Sequence, residues 1–208
     1  MATASASASR TRSRARTSPD AIALLKADHQ QVEQLFKRFE GFGPKAHKGR
    51  ESTVAKIVEA LSVHAAIEET TFYPRVRSQM PDATDDVLEA LEEHHVAKWT
   101  LSELDGMSST DERYTAKVTV LMESIRHHVK EEERELFPKV RKAMSRAELQ
   151  ELGDELTAAK RIAPRRPHPR TPDTPPGNLI AAAVTAPIDA ARAIGEAAVR
   201  TVQEAAKR

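Results

Sequence analysis

The sequence predicts an all-α fold, an up-down-up-down antiparallel four-helix bundle, and three observations carry that expectation. Apolar residues recur at three- and four-residue spacing through four segments of similar length. Only 7 glycines occur among 208 residues, and the middle of the chain lacks β-type alternation. A motif is also copied. His64-Ala-Ala-Ile-Glu68-Glu69-Thr-Thr-Phe-Tyr73-Pro74 and His128-Val-Lys-Glu-Glu132-Glu133-Arg-Glu-Leu-Phe137-Pro138 place His, Glu, Glu, an aromatic and Pro at offsets 0, 4, 5, 9 and 10.

Pro19 and Asp20 suit a helix start, and Ile22, Leu25, Val32, Phe36 and Phe39 form a stripe into which His29 falls. Gly41-Phe-Gly-Pro44 ends that helix. A second helix from about Arg50 carries Val54, Ile57 and Leu61, then His64 and Glu68 on the same face. Pro81 and Asp82 begin a third, through Val87, Leu88 and Leu91 to His94 and His95, ending near Asp105-Gly106. The fourth starts near Ser109-Thr110-Asp111, a capping-type sequence, and carries Val118, Leu121 and Ile125 ahead of His128 and Glu132. His29 to His64 is 35 residues and His95 to His128 is 33, so two helix pairs of nearly equal length repeat. Short loops then favour antiparallel neighbours.

The bundle is expected over 19–144. Residues 1–18, rich in Ala, Ser and Arg and free of acid, read as a disordered basic tail, with weak nucleic-acid contact the lesser alternative. An additional short helix is expected over 145–160 and a Pro/Arg-rich extended linker over 161–177. Over 178–208 an Ala-rich helix, broken or kinked at Pro187, is expected to pack on the bundle or on a second copy, a route to a homo-oligomer.

A histidine and a carboxylate on a core-facing stripe are costly to bury unless something satisfies them. Positions i and i+4 share a helix face, so His64 with Glu68 and His128 with Glu132 point inward together. Facing pairs are satisfied by metal ions. The expected ligands are His29, His64, Glu68, His95, His128 and Glu132, making a dinuclear site with open positions for water or a small ligand. Neighbours on a helix point about 100° apart, so His94 and His95 cannot both face inward. The repeat alignment favours His95, because Leu91 and Leu88 precede it as Leu25 and Ile22 precede His29. The apolar phase Val87, Leu91, Leu101 suits His94 instead.

Any single histidine on an apolar face is more often hydrogen-bonded core than ligand; four together, two with Glu at one offset, argue for metal. His47 and His168 lie in loop sequence, and His127 points away when His128 points in. Asp28, Glu69 and Glu133 flank ligands as solvated residues, though Glu69 and Glu133 share the repeated offset and suit support of the ligands. Tyr73 and Phe137 are expected to seal the bundle end.

Composition excludes several classes. There is no cysteine, which removes disulfides, thiolate zinc sites and iron–sulfur clusters and leaves imidazole and carboxylate ligands suited to iron, manganese or zinc. Net charge is +1, from 32 basic and 31 acidic residues, so no global field draws nucleic acid or membrane. No run is apolar enough for a transmembrane helix and no signal-peptide core is visible, which gives a cytoplasmic expectation.

The strings Leu25-Lys-Ala-Asp-His29, His64-Ala-Ala-Ile-Glu68-Glu69, Glu93-His94-His95-Val-Ala-Lys98 and Glu131-Glu132-Glu133-Arg-Glu-Leu-Phe137-Pro138 resemble the hemerythrin-like HHE cation-binding family, H…HxxxE…H…HxxxE, over about residues 20–142. The resemblance implies two iron ions in a non-haem di-iron centre, with a bridging oxo, hydroxo or water, and dioxygen, hydrogen peroxide or nitric oxide as small-molecule ligand in sensing or stress response. Oxygen-carrying members resemble five histidines with two carboxylates; four histidines and two glutamates favour oxidised metal and put reversible oxygen storage in doubt. A catalase- or peroxidase-like enzyme and an iron-storage protein are the alternatives. A ferritin-like oxidase is disfavoured because Glu-x-x-His occurs only at Glu92 to His95. A structural zinc site is disfavoured because zinc prefers four closed donors.

Overall fold

Asp20 starts the first helix, its Oδ1 accepting the Ala23 N–H at 2.8 Å. In the computed structural model, which describes residues 19–172, 177, 187–189 and 191, this helix, α1 (Ala21–Glu40), ends at Gly41, whose N–H reaches the Lys37 carbonyl. Next, α2 (His47–Ile67), a π turn (Glu68–Phe72) and α3 (Tyr73–Gln79) form one continuous rod. A short 3₁₀ turn (Pro81–Ala83) leads into α4 (Thr84–Leu104). The fourth rod repeats the second: α5 (Tyr114–Glu131), a π turn (Glu132–Leu136) and α6 (Phe137–Ala143). Finally α7 (Arg146–Ile162) starts with a capping box, Ser145 and Glu148 bonding each other's backbone N–H.

The all-α bundle is therefore present, and two helix starts differ from expectation. Asp111 does not cap α5. Its side chain accepts the Ser108 N–H at 2.9 Å and its carbonyl accepts the Tyr114 N–H at 3.1 Å, closing a turn before the helix. His47 is not in a loop; it opens α2, exposed, with Nδ1 3.0 Å from Ser109 Oγ. His168 sits in the connector with Nε2 3.1 Å from Asp189 Oδ2. The expected basic tail over 1–18, and most of the expected Ala-rich helix over 178–208, lie outside the described residues.

Two apolar clusters fill the bundle. At one end Ile22, Leu25, Ile67, Val87, Leu91 and Val140 pack with Leu149, Leu152 and Leu156 of α7. At the other, Val32, Phe36, Ile57, Leu101, Val118 and Leu121 pack together. Burying each such side chain contributes about 1.5–3 kcal/mol. Between the clusters lies one polar layer: His29 falls between Leu25 and Val32, His64 between Leu61 and Ile67, His94 between Leu91 and Ala97, and His128 between Ile125 and Leu136. Apolar packing on both sides fixes the level at which these side chains meet.

Candidate metal centre

Each half of the sequence repeat delivers one histidine pair. His29 Nε2 lies 3.1 Å from His64 Nε2, and His94 Nε2 lies 3.2 Å from His128 Nε2. The two glutamates cross between the pairs. Glu68 Oε2 is 3.1 Å from His64 Nε2 and 3.5 Å from His94 Nε2. Glu132 Oε2 is 3.2 Å from His29 Nε2 and 3.6 Å from His128 Nε2. All six residues are buried. Donor atoms of His29, His64, Glu68 and Glu132, and of Glu68, His94 and His128, lie within 4.8 Å of one another.

One expected ligand is corrected. His94, not His95, faces the core; His95 is half-buried outside the layer, where Trp99 Nε1 donates to its Nε2 at 3.2 Å. The apolar phase decides it, because Val87, Leu91 and Leu101 are buried while Leu88 is 44% exposed. The alignment on Leu88 weighed a residue that faces solvent.

The π turns explain the copied Glu-Glu, aromatic and proline. Tyr73 and Phe137 each donate their N–H to the carbonyl five residues back, Glu68 and Glu132 respectively. In an unbroken α-helix the residue five after Glu68 would stand roughly 140° round the axis. The wider turn brings Tyr73 onto the glutamate's own face. Its hydroxyl donates to Glu132 Oε1 at 2.9 Å and lies 3.5 Å from His94 Nε2. Phe137 occupies the matching place and stacks on His29, centroids 5.7 Å apart and planes 7° from parallel. The wide turn also makes room for the proline ring that follows in each rod, where a regular turn would clash with the carbonyl four residues back.

Behind each imidazole stands a carboxylate. Glu133 Oε1 is 3.0 Å from His29 Nδ1, Glu69 Oε1 is 3.1 Å from His94 Nδ1, and Glu93 Oε2 is 2.7 Å from His128 Nδ1. Asp28 Oδ2 stands 3.9 Å from His64 Nδ1. At His29, His94 and His128, where the carboxylate is within hydrogen-bond distance, such partners favour the proton on Nδ1 and leave Nε2 as a lone-pair donor, the tautomer a metal requires. Asp28 is therefore buried and not simply solvated, while Glu69 and Glu133 stand where their repeated offset suited them to support the ligands. Glu93 takes a role that its place in the sequence motif did not assign, yet a signal existed: Asp28 and Glu93 each directly precede a buried histidine, and that pairing also selects His94. The buried Lys98 ammonium, 3.0 Å from Glu69 Oε1, is likewise a contact that the motif did not assign.

The donor set fits cations. Both oxygens of Glu68, together with Glu132 Oε2, are buried without a hydrogen bond, a costly arrangement that a positive ion would relieve. Burial first, and then Glu132, push the Glu68 carboxyl well above the usual carboxylate range. Burial opposes ionisation of Glu132 as well, but His128 and His29 hold its carboxyl below that range. Burial lowers His64 to about 4, so its imidazole is neutral and available at neutral pH. Burial works against charge on His128 too, yet Glu132 and Glu93 raise it above the ordinary imidazole value. A proton therefore competes with metal for His128 first as pH falls. Metal content measured after dialysis is expected to hold at pH 7–8 and to fall once pH drops below about 6.

Beside the layer an enclosed cavity has about 20 Å³ of room for the centre of a water-sized guest, walled by the four imidazoles, Lys98 and apolar groups such as Leu61 and Ile125. Among the described residues, no helix is long and apolar enough to cross a membrane.

The sequence matches the hemerythrin HHE cation-binding domain over residues 20–140. A hemerythrin-like protein of Schizosaccharomyces pombe is 28% identical over 138 residues, 66% of this chain and 68% of that one. A DNA nickase of Nostoc is 27% identical over 137 residues, which span 66% of this chain but only 38% of the nickase. The crystal structure of an HHE cation-binding domain-containing protein from Mycobacterium kansasii shares the fold, with TM-score 0.60 at 24% identity over 69% of this chain and 86% of that one. Inward histidines and glutamates on four antiparallel rods and the match over residues 20–140 agree: the chain belongs to the hemerythrin HHE cation-binding domain family.

Proposed function

We propose that His29, His64, Glu68, His94, His128 and Glu132 hold two iron ions, and that the protein binds or reacts with a small oxidant, dioxygen, hydrogen peroxide or nitric oxide, in sensing or stress response. The observation that carries it is the pair of imidazole pairs spanned by two carboxylates whose buried oxygens lack partners. Iron bound there would supply redox chemistry and open coordination positions. The chain's own residues do the rest. Glu133, Glu69 and Glu93 orient three of the imidazoles, and the apolar clusters exclude bulk water from the layer. The small cavity admits a guest of a few atoms and no larger substrate.

A peroxide-consuming enzyme is the second reading, favoured by Tyr73. Burial keeps its hydroxyl protonated well above the ordinary phenol range, so it can hold or give a proton at Glu132. Elemental analysis with absorption spectra under air, peroxide and nitric oxide tests the first reading: about two irons per chain and a spectral change are expected. One zinc per chain, or an iron-loaded protein inert to all three, would defeat it. Steady peroxide turnover separates the enzyme from the sensor. His64→Ala is expected to lower iron content sharply, since Glu68 then faces one imidazole fewer; an unchanged iron count would show the site misplaced.

A further inference from the structure

The bundle repeats itself, but its two sides are closed differently. Asp28 on α1 and Glu93 on α4 are equivalent: each precedes a core histidine and each backs the Nδ1 of the histidine on the next rod. On the α1 side α7 lies across the groove. Its Lys160 binds the Asp28 carboxylate, and Arg165 just beyond pairs with Glu59. Two cations thus sit over the acidic groups on that side.

The α4 side is acidic and, among the described residues, has no such helix across it. Between α4 and α5 a funnel of about 60 Å³ is lined by Asp86, Glu89, Glu93, Glu131 and Glu135, and His128 and Glu132 form its floor. Lys139 pairs with Asp86 at the rim. At the mouth His127 Nε2 lies 3.1 Å from Glu131 Oε1, and donor atoms of Glu93, His127 and Glu131 lie within 4.8 Å of one another. At the floor, Glu132 is 3% exposed and its Oε2 carries no hydrogen bond. The lining of one cleft thus reaches from two members of the Glu93–His127–Glu131 group to two of the core donors, His128 and Glu132.

We propose that Glu93, His127 and Glu131 form an outer docking site for a divalent cation, and that the acidic funnel beneath them carries the cation to the core. This rests on the reading of the core as a metal centre. Carboxylate and imidazole donors suit a hard-to-borderline divalent ion such as ferrous iron. A narrow cleft lined by one sign of charge concentrates counter-ions and speeds their arrival. Glu93 connects the two levels, because the same carboxylate faces His127 outside and lies 2.7 Å from His128 Nδ1 inside.

The test is the rate at which metal-free protein takes up ferrous iron alone, without oxygen, with bound iron counted over time and at the end point. In the double variant His127→Gln, Glu131→Gln, uptake is expected to slow about 3–10-fold, and in Glu89→Lys, which sets a cation in the mouth, by at least as much. Final iron per chain and helix content should match the wild type. Added salt should slow the wild type more than the variants. Variants loading at the wild-type rate would overturn the proposal, and so would a lowered end point, which would make these residues part of the core's holding power. A wild-type protein that takes up no iron would overturn the core reading, a failure visible before any variant is compared.

Discussion

Glu132→Gln is expected to empty both positions of the proposed di-iron centre, not one. Glu132 Oε2 lies 3.2 Å from His29 Nε2 and 3.6 Å from His128 Nε2, so one carboxylate serves both histidine pairs. The amide keeps the volume and can still accept from the Tyr73 hydroxyl. It removes the negative charge that His128 and His29 hold ionised. Glutamine would hold a cation poorly there, because its nitrogen would face the ion as a donor. Affinity is expected to fall at least about 100-fold, beyond the loss usual for a residue that only supports a ligand. Iron should drop from about two per chain to well below one. The metal-free fold should lose nothing, since the change removes a buried charge. Equal helix content and unfolding temperature with absent iron is the expected result; two irons per chain in the variant would show that Glu132 is not a ligand.

The second large effect is expected far from the metal layer, at Gly153. A Cβ there would stand 2.3 Å from the Pro19 carbonyl oxygen and 3.0 Å from Ala21 N. These are backbone atoms at the start of α1, fixed by the Asp20 cap, so they cannot swing aside. Alanine favours a helix interior over glycine by about 1 kcal/mol, yet here contact wins, and α7 must lift. Lifting it exposes part of Leu149, Leu152 and Leu156 and pulls Lys160 from Asp28. Gly153→Val is expected to cost about 3 kcal/mol or more, a fall in melting temperature of roughly 6–12 °C for a domain this size. Gly153→Ala should shift it in the same direction by less. A melting temperature at or above wild type for the alanine variant would mean that α7 does not pack so closely against α1.

Much of this was legible in the chain. The 3–4 spacing of Ile22, Leu25, Val32 and Phe36 gives a helix face without tertiary information, because a helix buries whatever its period aligns. The copied His-x-x-x-Glu gives inward donors for the same reason. Short loops between repeated pairs leave an antiparallel bundle as the assembly. Helix starts were read less well: Asp111 has a capping side chain, and whether it caps a helix or closes a turn depends on where the next rod must begin.

The sequence by itself therefore determined the helices, the bundle, the repeated motif and five of the six inward donors, since each follows from local period and spacing. Tertiary structure alone decided the rest. It turned His94 inward over His95, because facing rods settle which side of α4 is buried. It widened two turns so that Tyr73 and Phe137 reach the layer, set Asp28, Glu69, Glu93 and Glu133 behind the imidazoles, and laid α7 over one side only. These depend on contacts between residues from 21 to 132 positions apart, which no local pattern encodes.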